Sequence, residues 1–507
     1  MAYLRNALRV SSVLTSLATF TSAFPTIKER DSSCFPPEDS VASEITWIPC
    51  PPEVQAPEGL ECGTYSVPIN WDEPYGDKFD LGLVRLPAIA SNLTTKIGSL
   101  FINPGGPGGR ASELVGQLAL GALPNEILLA SFDIIGLDPR GVGLSHQVEC
   151  DLSIYAERVS LFPQTQEELD KLVDKNKRFG QSCREKTGPL FEYLDTISAA
   201  KDHEAVRIAL GNEPINFVGL SYGSQLGAQY AALFPDNIRT LVLDGILQHS
   251  QSEAQNILVE TSSYNLGLTH FFEWATKDNS SALQGEDVSA LWTSLIANAT
   301  DSPIPASICD GTNCQTAVTG EDILFNAQKF LTTATAESST SWSTLAAALH
   351  NASQGDASAL STPLNDPVAI SYLGIGCLDW THSTSLSLPS ILAKQTMATQ
   401  RAPLTQAASQ MWQAQHACLG WPIPVKNPPT KLDVDTEATV LMVQSTADPN
   451  TGLPWALGML EEVRNKVLVL REGDGHTSLG LGGETAEVIV GYLVSGEAPG
   501  EGLVLSS

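Results

Sequence analysis

The sequence predicts an α/β fold, a mostly parallel central sheet sandwiched by helices, and three observations predict it. Short runs rich in Val, Ile, Leu and Phe at 81–86, 97–102, 132–137, 215–220, 240–243, 439–444 and 466–470 alternate with helical patterns. Those runs are almost continuously apolar, as strands buried on both faces must be, which is the mark of a parallel sheet covered on each side. The strand signal then stops between 248 and 435 and resumes at Thr439, so a long insertion interrupts one sheet that the C-terminal segment completes.

Taken in order, residues 1–23 carry Arg5 and Arg9 ahead of a mildly apolar run, then Thr21-Ser22-Ala23. That order reads as a secretory signal cleaved near Ala23, so the protein is expected to be secreted and extracellular. The apolar run is too short for a spanning helix, which needs about 20 residues, and no membrane association is expected after signal removal. Residues 24–44 form an N-terminal segment in which Lys28-Glu29-Arg30 leaves room for a short pro-segment. The first part of the core is placed at 45–247 and its C-terminal part at 436–507. Residues 248–435, with the Ser/Thr-rich passage 332–344, are expected to form a mainly helical lid over the C-terminal edge of the sheet.

The 507 residues, 42% of them hydrophobic, suffice for a large core. The net charge of −29 repels phosphate backbones and anionic lipid, which argues against nucleic acid as a partner and favours a monomer. Nine cysteines behind a secretory signal should mostly be paired. Proximity suggests Cys50 with Cys62 and Cys309 with Cys314. Spacing alone does not match the others; Cys150 with Cys183 and Cys377 with Cys418 are the expected pairs, leaving Cys34 odd. Asn92, Asn279, Asn298 and Asn351 stand in N-x-S/T sites compatible with a glycosylated surface.

The chemistry is concentrated in Gly219-Leu220-Ser221-Tyr222-Gly223, which lies between a buried-strand run and a small-residue helix. A serine hydroxyl is a poor nucleophile at neutral pH. It must stand on a tight strand-to-helix turn that a base can reach, and this context makes the pattern a nucleophile elbow of the α/β-hydrolase kind. In such folds the acid and base follow the nucleophile, each on a loop after a strand. Asp448 in Ser445-Thr-Ala-Asp-Pro and His476 in Gly473-Asp-Gly-His fit that order. Asp244, in Leu241-Val-Leu-Asp-Gly, is the rival acid. The early loop Asn103-Pro-Gly-Gly-Pro-Gly-Gly109 is expected to supply an oxyanion-hole amide from Gly106 or Gly105, with the amide of Tyr222 as the second donor. No HExxH or Cys-x-x-Cys spacing occurs, so neither metal nor cofactor is implied.

These motifs resemble the tripeptidyl aminopeptidase-like branch of the prolyl-aminopeptidase family of serine peptidases. The resemblance spans most of the chain, through Trp47-x-x-Cys50, Glu61-Cys62, Val67-Pro68, the 103–109 loop, Asp138-Pro-Arg-Gly-Val-Gly-Leu-Ser145, Asp202 with Val206-Arg207, the elbow, Leu243-Asp-Gly245, Cys377-x-Asp379 and the loops of Asp448 and His476. It implies an exported α/β-hydrolase that removes short peptides or single residues from free amino termini. It also implies that Asp379 helps to hold the substrate ammonium, against a structural reading as a turn residue. Arg110 departs from the small residue expected after the glycines and is a candidate contact for a peptide carboxylate. The same triad would serve a carboxylic-ester hydrolase acting on small-molecule esters. A secreted binding protein with a decayed site is the third class, disfavoured by the intact motifs.

Overall fold

The computed structural model describes residues 44–54, 59–89, 96–121, 126–333, 341–380, 382 and 387–506. The expected signal, Cys34 and Asn92 lie outside the described residues. The strands are β1 (Thr46–Ile48), β2 (Glu61–Pro68), β3 (Lys78–Leu86), β4 (Gly98–Asn103), β5 (Phe132–Leu137), β6 (Ile215–Leu220), β7 (Ile238–Asp244), β8 (Ile304–Pro305), β9 (Ala317–Val318), β10 (Val440–Ala447), β11 (Lys466–Asp474) and β12 (Val504–Ser506). Ten of them form one sheet in the order β1-β2-β3-β5-β4-β6-β7-β10-β11-β12. Pairing is antiparallel from β1 through β3 to β5 and parallel from there on.

The parallel half follows directly from the apolar runs. β5 is buried at every position and β6 at all but its last, Leu220, because helices cover both faces. β1, β2 and β12 were not predicted, for they are short and exposed or, in β2, partly alternating, Glu-Cys-Gly-Thr-Tyr-Ser-Val-Pro. Register aligns the ends that matter: Leu220 pairs with Asp244, Val443 with Asp244, and Ala447 with Asp474. The chain therefore leaves β6, β7, β10 and β11 along one edge.

The exit of β5 is fixed by charge. Arg140 is fully buried and grips Asp202 through two bonds of 2.7 Å, while Trp71 Nε1 donates to the same carboxylate at 3.0 Å. A bidentate pair with its remaining donors on the carbonyls of Pro68, Ile69 and Tyr193 satisfies a buried guanidinium. The Asp138-Pro-Arg motif is thus architectural.

Between β7 and β10 lie helices Glu253–Lys277, Val288–Asp301, Gly320–Asn326, Trp342–Ser353, Pro367–Asp379, Leu388–Arg401 and Gln410–Ala417, with the small β8–β9 pair. The insertion has an apolar core of its own, which includes Tyr264, Phe271, Trp292 and Trp342. One element expected in the first part of the core joins it. Helix Gln166–Thr187, started by a Thr165–Glu168 capping box, packs Leu169 and Leu172 against Ile391, Trp412 and Leu419, and Asn176 donates to the carbonyls of His416 and Leu419. Its polar majority leaves no apolar run in the sequence to mark this seam.

Disulfides join Cys50–Cys62, Cys150–Cys183, Cys309–Cys314 and Cys377–Cys418, the pairs expected. Asn279, Asn298 and Asn351 are exposed.

Candidate active site

Ser221 terminates β6 and begins helix Tyr222–Leu233 with φ 58° and ψ −124°, a conformation that costs a non-glycine residue roughly 1–3 kcal/mol. Its neighbours explain how the turn closes. A Cβ on Gly219 would lie 2.0 Å from the Gly223 carbonyl oxygen, so the two backbones meet only because a side chain is absent. The Ser221 amide donates to the Asp244 carbonyl at 2.8 Å, which pins the turn to the neighbouring strand end.

His476 and Asp448 come together from the loops after β11 and β10. His476 Nδ1 is 2.9 Å from both Asp448 oxygens, and Asp448 also accepts from the amides of Asn450 and Thr451 and from Thr451 Oγ1. Burial works against ionisation of Asp448, but the imidazole and these donors outweigh it and hold the carboxyl below its usual range. For His476, burial likewise opposes the charged ring; Asp448, Asp244 and Glu260 outweigh it, and the pKa lies above the ordinary histidine value. The ring sits beside the elbow: a Cβ on Gly245, the residue after the one that receives the Ser221 amide, would meet His476 Cε1 at 3.4 Å. Among the described residues none hydrogen-bonds to Ser221 Oγ.

Asp244, the rival acid, plays another part. Its Oδ2 accepts the amides of Ser478 and Leu479 at 2.8 Å each, so it holds the loop that carries His476 without touching the ring. Its Oδ1 is buried without a partner, and burial, partly offset by those amides, pushes its pKa up to about 6.

The glycine loop after β4 lies against the elbow, and its two candidate amides are not equivalent. Gly105 N donates to Asn103 Oδ1 at 2.9 Å, so that amide is already used, which corrects the expectation for Gly105 as an oxyanion donor. Its role is approach: a Cβ there would come within 2.3 Å of the Leu220 carbonyl and 2.9 Å of Tyr222 N. Among the described residues no acceptor takes the amides of Gly106 and Tyr222, the second being a first-turn helix amide with no intrahelical partner. Both amides are thus left without an acceptor among the described residues, as an oxyanion donor's must be before substrate binds.

Asp379 is also corrected. It is fully buried at the end of Pro367–Asp379, and its carboxylate accepts from Thr196 N at 2.9 Å, Thr196 Oγ1, Gln225 Nε2 at 3.3 Å and Asn427 Nδ2 at 3.2 Å. Thr196 Oγ1 in turn meets the Tyr222 hydroxyl. With its oxygens engaged in the interior, Asp379 braces the residue after the nucleophile from below and has no lone pairs to spare for a substrate ammonium. Arg110 packs its stem near Gly143, where a Cβ would be 3.2 Å from Arg110 Cγ, and its charge stabilises the buried Asp138 carboxylate behind the glycine loop. The residues that sequence reasoning missed are Thr451, which joins the acid to the base, and Thr196; neither carries a local motif. No group of His, Cys, Asp and Glu suited to a metal occurs among the described residues.

A family model described as an alpha/beta hydrolase fold matches residues 98–294, and one described as a TAP-like protein matches residues 402–504. The chain is 27% identical over 491 residues to Serine protease Hip1 of Mycobacterium tuberculosis, covering 92% of this chain and 91% of the relative. It is 28% identical over 268 residues to the Tripeptidyl aminopeptidase of Streptomyces lividans, covering 51% and 50%. Carboxylesterase B of Mycobacterium tuberculosis is 25% identical over 488 residues, covering 90% and 89%. The first model runs into the insertion as far as residue 294 and the second begins within it at 402, and between them they take in the strand ends that carry Ser221, Asp448 and His476. The chain is a serine hydrolase and belongs to the tripeptidyl aminopeptidase-like branch of the α/β-hydrolases.

Proposed function

We propose that the chain is a secreted serine exopeptidase that releases short peptides or single residues from free amino termini. One observation carries the mechanism: an Asp448–His476 pair beside an elbow serine with two free amides. His476 removes the Ser221 proton as Oγ attacks the scissile carbonyl, and the imidazolium is stabilised by Asp448, which also fixes the tautomer. The amides of Gly106 and Tyr222 receive the oxyanion. His476 then protonates the leaving amine, and water hydrolyses the acyl-enzyme by the same steps in reverse. Substrate closes the distance between Ser221 and His476, since such contacts tighten in the Michaelis complex.

The peptide reading is supported by relatives named as a serine protease and a tripeptidyl aminopeptidase. Export is supported by four disulfides and by the expected signal. Among the described residues no helix is long and apolar enough to cross a membrane. Carboxylesterase B keeps ester hydrolysis as the second reading. A panel of free-amino and amino-blocked peptide anilides beside short-chain aryl esters decides between them. Turnover that needs the free amine is expected; ester turnover without amide turnover overturns the peptide reading.

A further inference from the structure

The insertion does more than cover the edge; it grips both loops that carry the acid and the base. Helix Glu253–Lys277 passes so close to the acid loop that a Cβ on Gly267 would lie 3.1 Å from Pro449 Cβ, and one on Gly452 would lie 2.2 Å from Ser263 Oγ. The His476 amide donates to the carbonyl of Thr332 at 2.9 Å, and His270 Nδ1 meets Asp474 Oδ1 at 2.7 Å. At the centre of this contact are two buried polar side chains, Glu260 and Gln328, each 1% exposed. Gln328 Nε2 donates to the carbonyl of Pro449, next to Asp448, at 3.1 Å and to Glu260 Oε1 at 3.3 Å. Glu260 Oε2 accepts the amide of Met411 at 2.5 Å.

An acid in such a place is costly, and apolar side chains would fill the same volume at less expense in stability. We propose that Glu260 and Gln328 are positioning residues for the Asp448–His476 pair, Gln328 tethering the acid loop to the insertion and Glu260 fixing the Gln328 side chain between Met411 and Pro449. Burial pushes the Glu260 pKa up to about 7 against the opposing bonds from Met411, Ser409 and Gln328 and the attraction of His476. The charges that face His476 are Asp448, Asp244 and Glu260. Within its own loop Asp474 is paired with His270, and Arg471 is spent on the carbonyls of Asp474, Gly475 and Thr477. The group facing Glu260 besides His476 is the Tyr372 phenol.

The inference rests on the active-centre reading above, and the test keeps the two apart. The rate at which a fluorophosphonate labels Ser221 is measured against pH for the unaltered protein, Glu260→Gln and Gln328→Ala, with steady-state turnover of an aryl ester and a free-amino peptide anilide. Glu260→Gln, whose side-chain oxygen still accepts from Gln328 and Met411, is expected to lower kcat by only about two- to three-fold with KM unchanged. Gln328→Ala is expected to lower kcat about ten-fold on both substrates with KM and the acid limb of labelling unchanged. An unchanged kcat in both variants overturns the proposal. So does a loss confined to KM for free-amino peptides, which would make Glu260 a substrate contact. If Glu260→Gln does not fold, by circular dichroism, the kcat and KM of Gln328→Ala decide. Failure of the unaltered protein to label removes the active-centre reading and the positioning roles with it.

Discussion

Asp448 and Asp244 sit at the ends of adjacent parallel strands, both essentially buried, yet one is held below the usual carboxylate range and the other is pushed up to about 6. Burial acts on both in the same direction. The difference is the partner: Asp448 faces the ring of His476 along with four further donors, from Asn450, Thr451 twice and Thr477, whereas Asp244 receives two peptide amides and leaves one oxygen bare. A strand end supplies the place and the neighbouring loop supplies the charge state. The consequence is a division of labour in which one acid serves the base electronically and the other holds the base's loop.

The sharpest way to break this comparison is Asp448→Asn. It should lower kcat about 10⁴-fold while Ser221 stays in place, because the ring loses its tautomer and its counter-charge. A loss under ten-fold in turnover of the best substrate would return Asp244 to the position of catalytic acid. Asp244→Asn is the counterpart and should cost less than about ten-fold, since an amide oxygen still accepts from Ser478 and Leu479. Steady-state kinetics of the two variants side by side reads the difference.

The smallest expected effect is in stability. Asp244, raised to about 6, and Asp379 and Glu260, raised to about 7, bind protons in the folded state that the unfolded chain, with carboxyls near about 4, has already released. Folding is therefore favoured below their folded values and loses stability as pH rises from about 4 through about 7. Asp448, depressed, acts oppositely but only below its ordinary value, as its pairing is lost when pH falls through its folded pKa. The raised His476 contributes in the same sense as the three acids, losing its share as pH rises through its folded value. The thermal midpoint should be higher at pH 5 than at pH 8, and Asp244→Asn should narrow the gap. A midpoint that climbs from pH 5 to pH 8 would contradict the raised values.

The same contrast divides what the sequence revealed from what it hid. The parallel strands were legible because burial on both faces leaves an apolar run, and the elbow, acid and base because each follows such a run. The four cysteine pairs agree with the expected ones. What was illegible depended on spatial partners. Whether the Gly105 amide is free turns on the rotamer of Asn103, and whether Asp379 reaches a pocket turns on Thr196, 183 residues away. The membership of helix Gln166–Thr187 in the insertion was hidden for the same reason, because its apolar seam meets residues more than two hundred positions downstream.

One of these long-range ties reaches beyond the present substrate question. Because the backbone of His476 hangs from the carbonyl of Thr332, the base takes its bearings partly from the roof. Exchange of that roof for one from a relative, the obvious route to new selectivity, would also disturb the proton-transfer geometry. Productive chimaeras should be those whose crossover leaves the stretch from Gln328 to Thr332 in its parental setting.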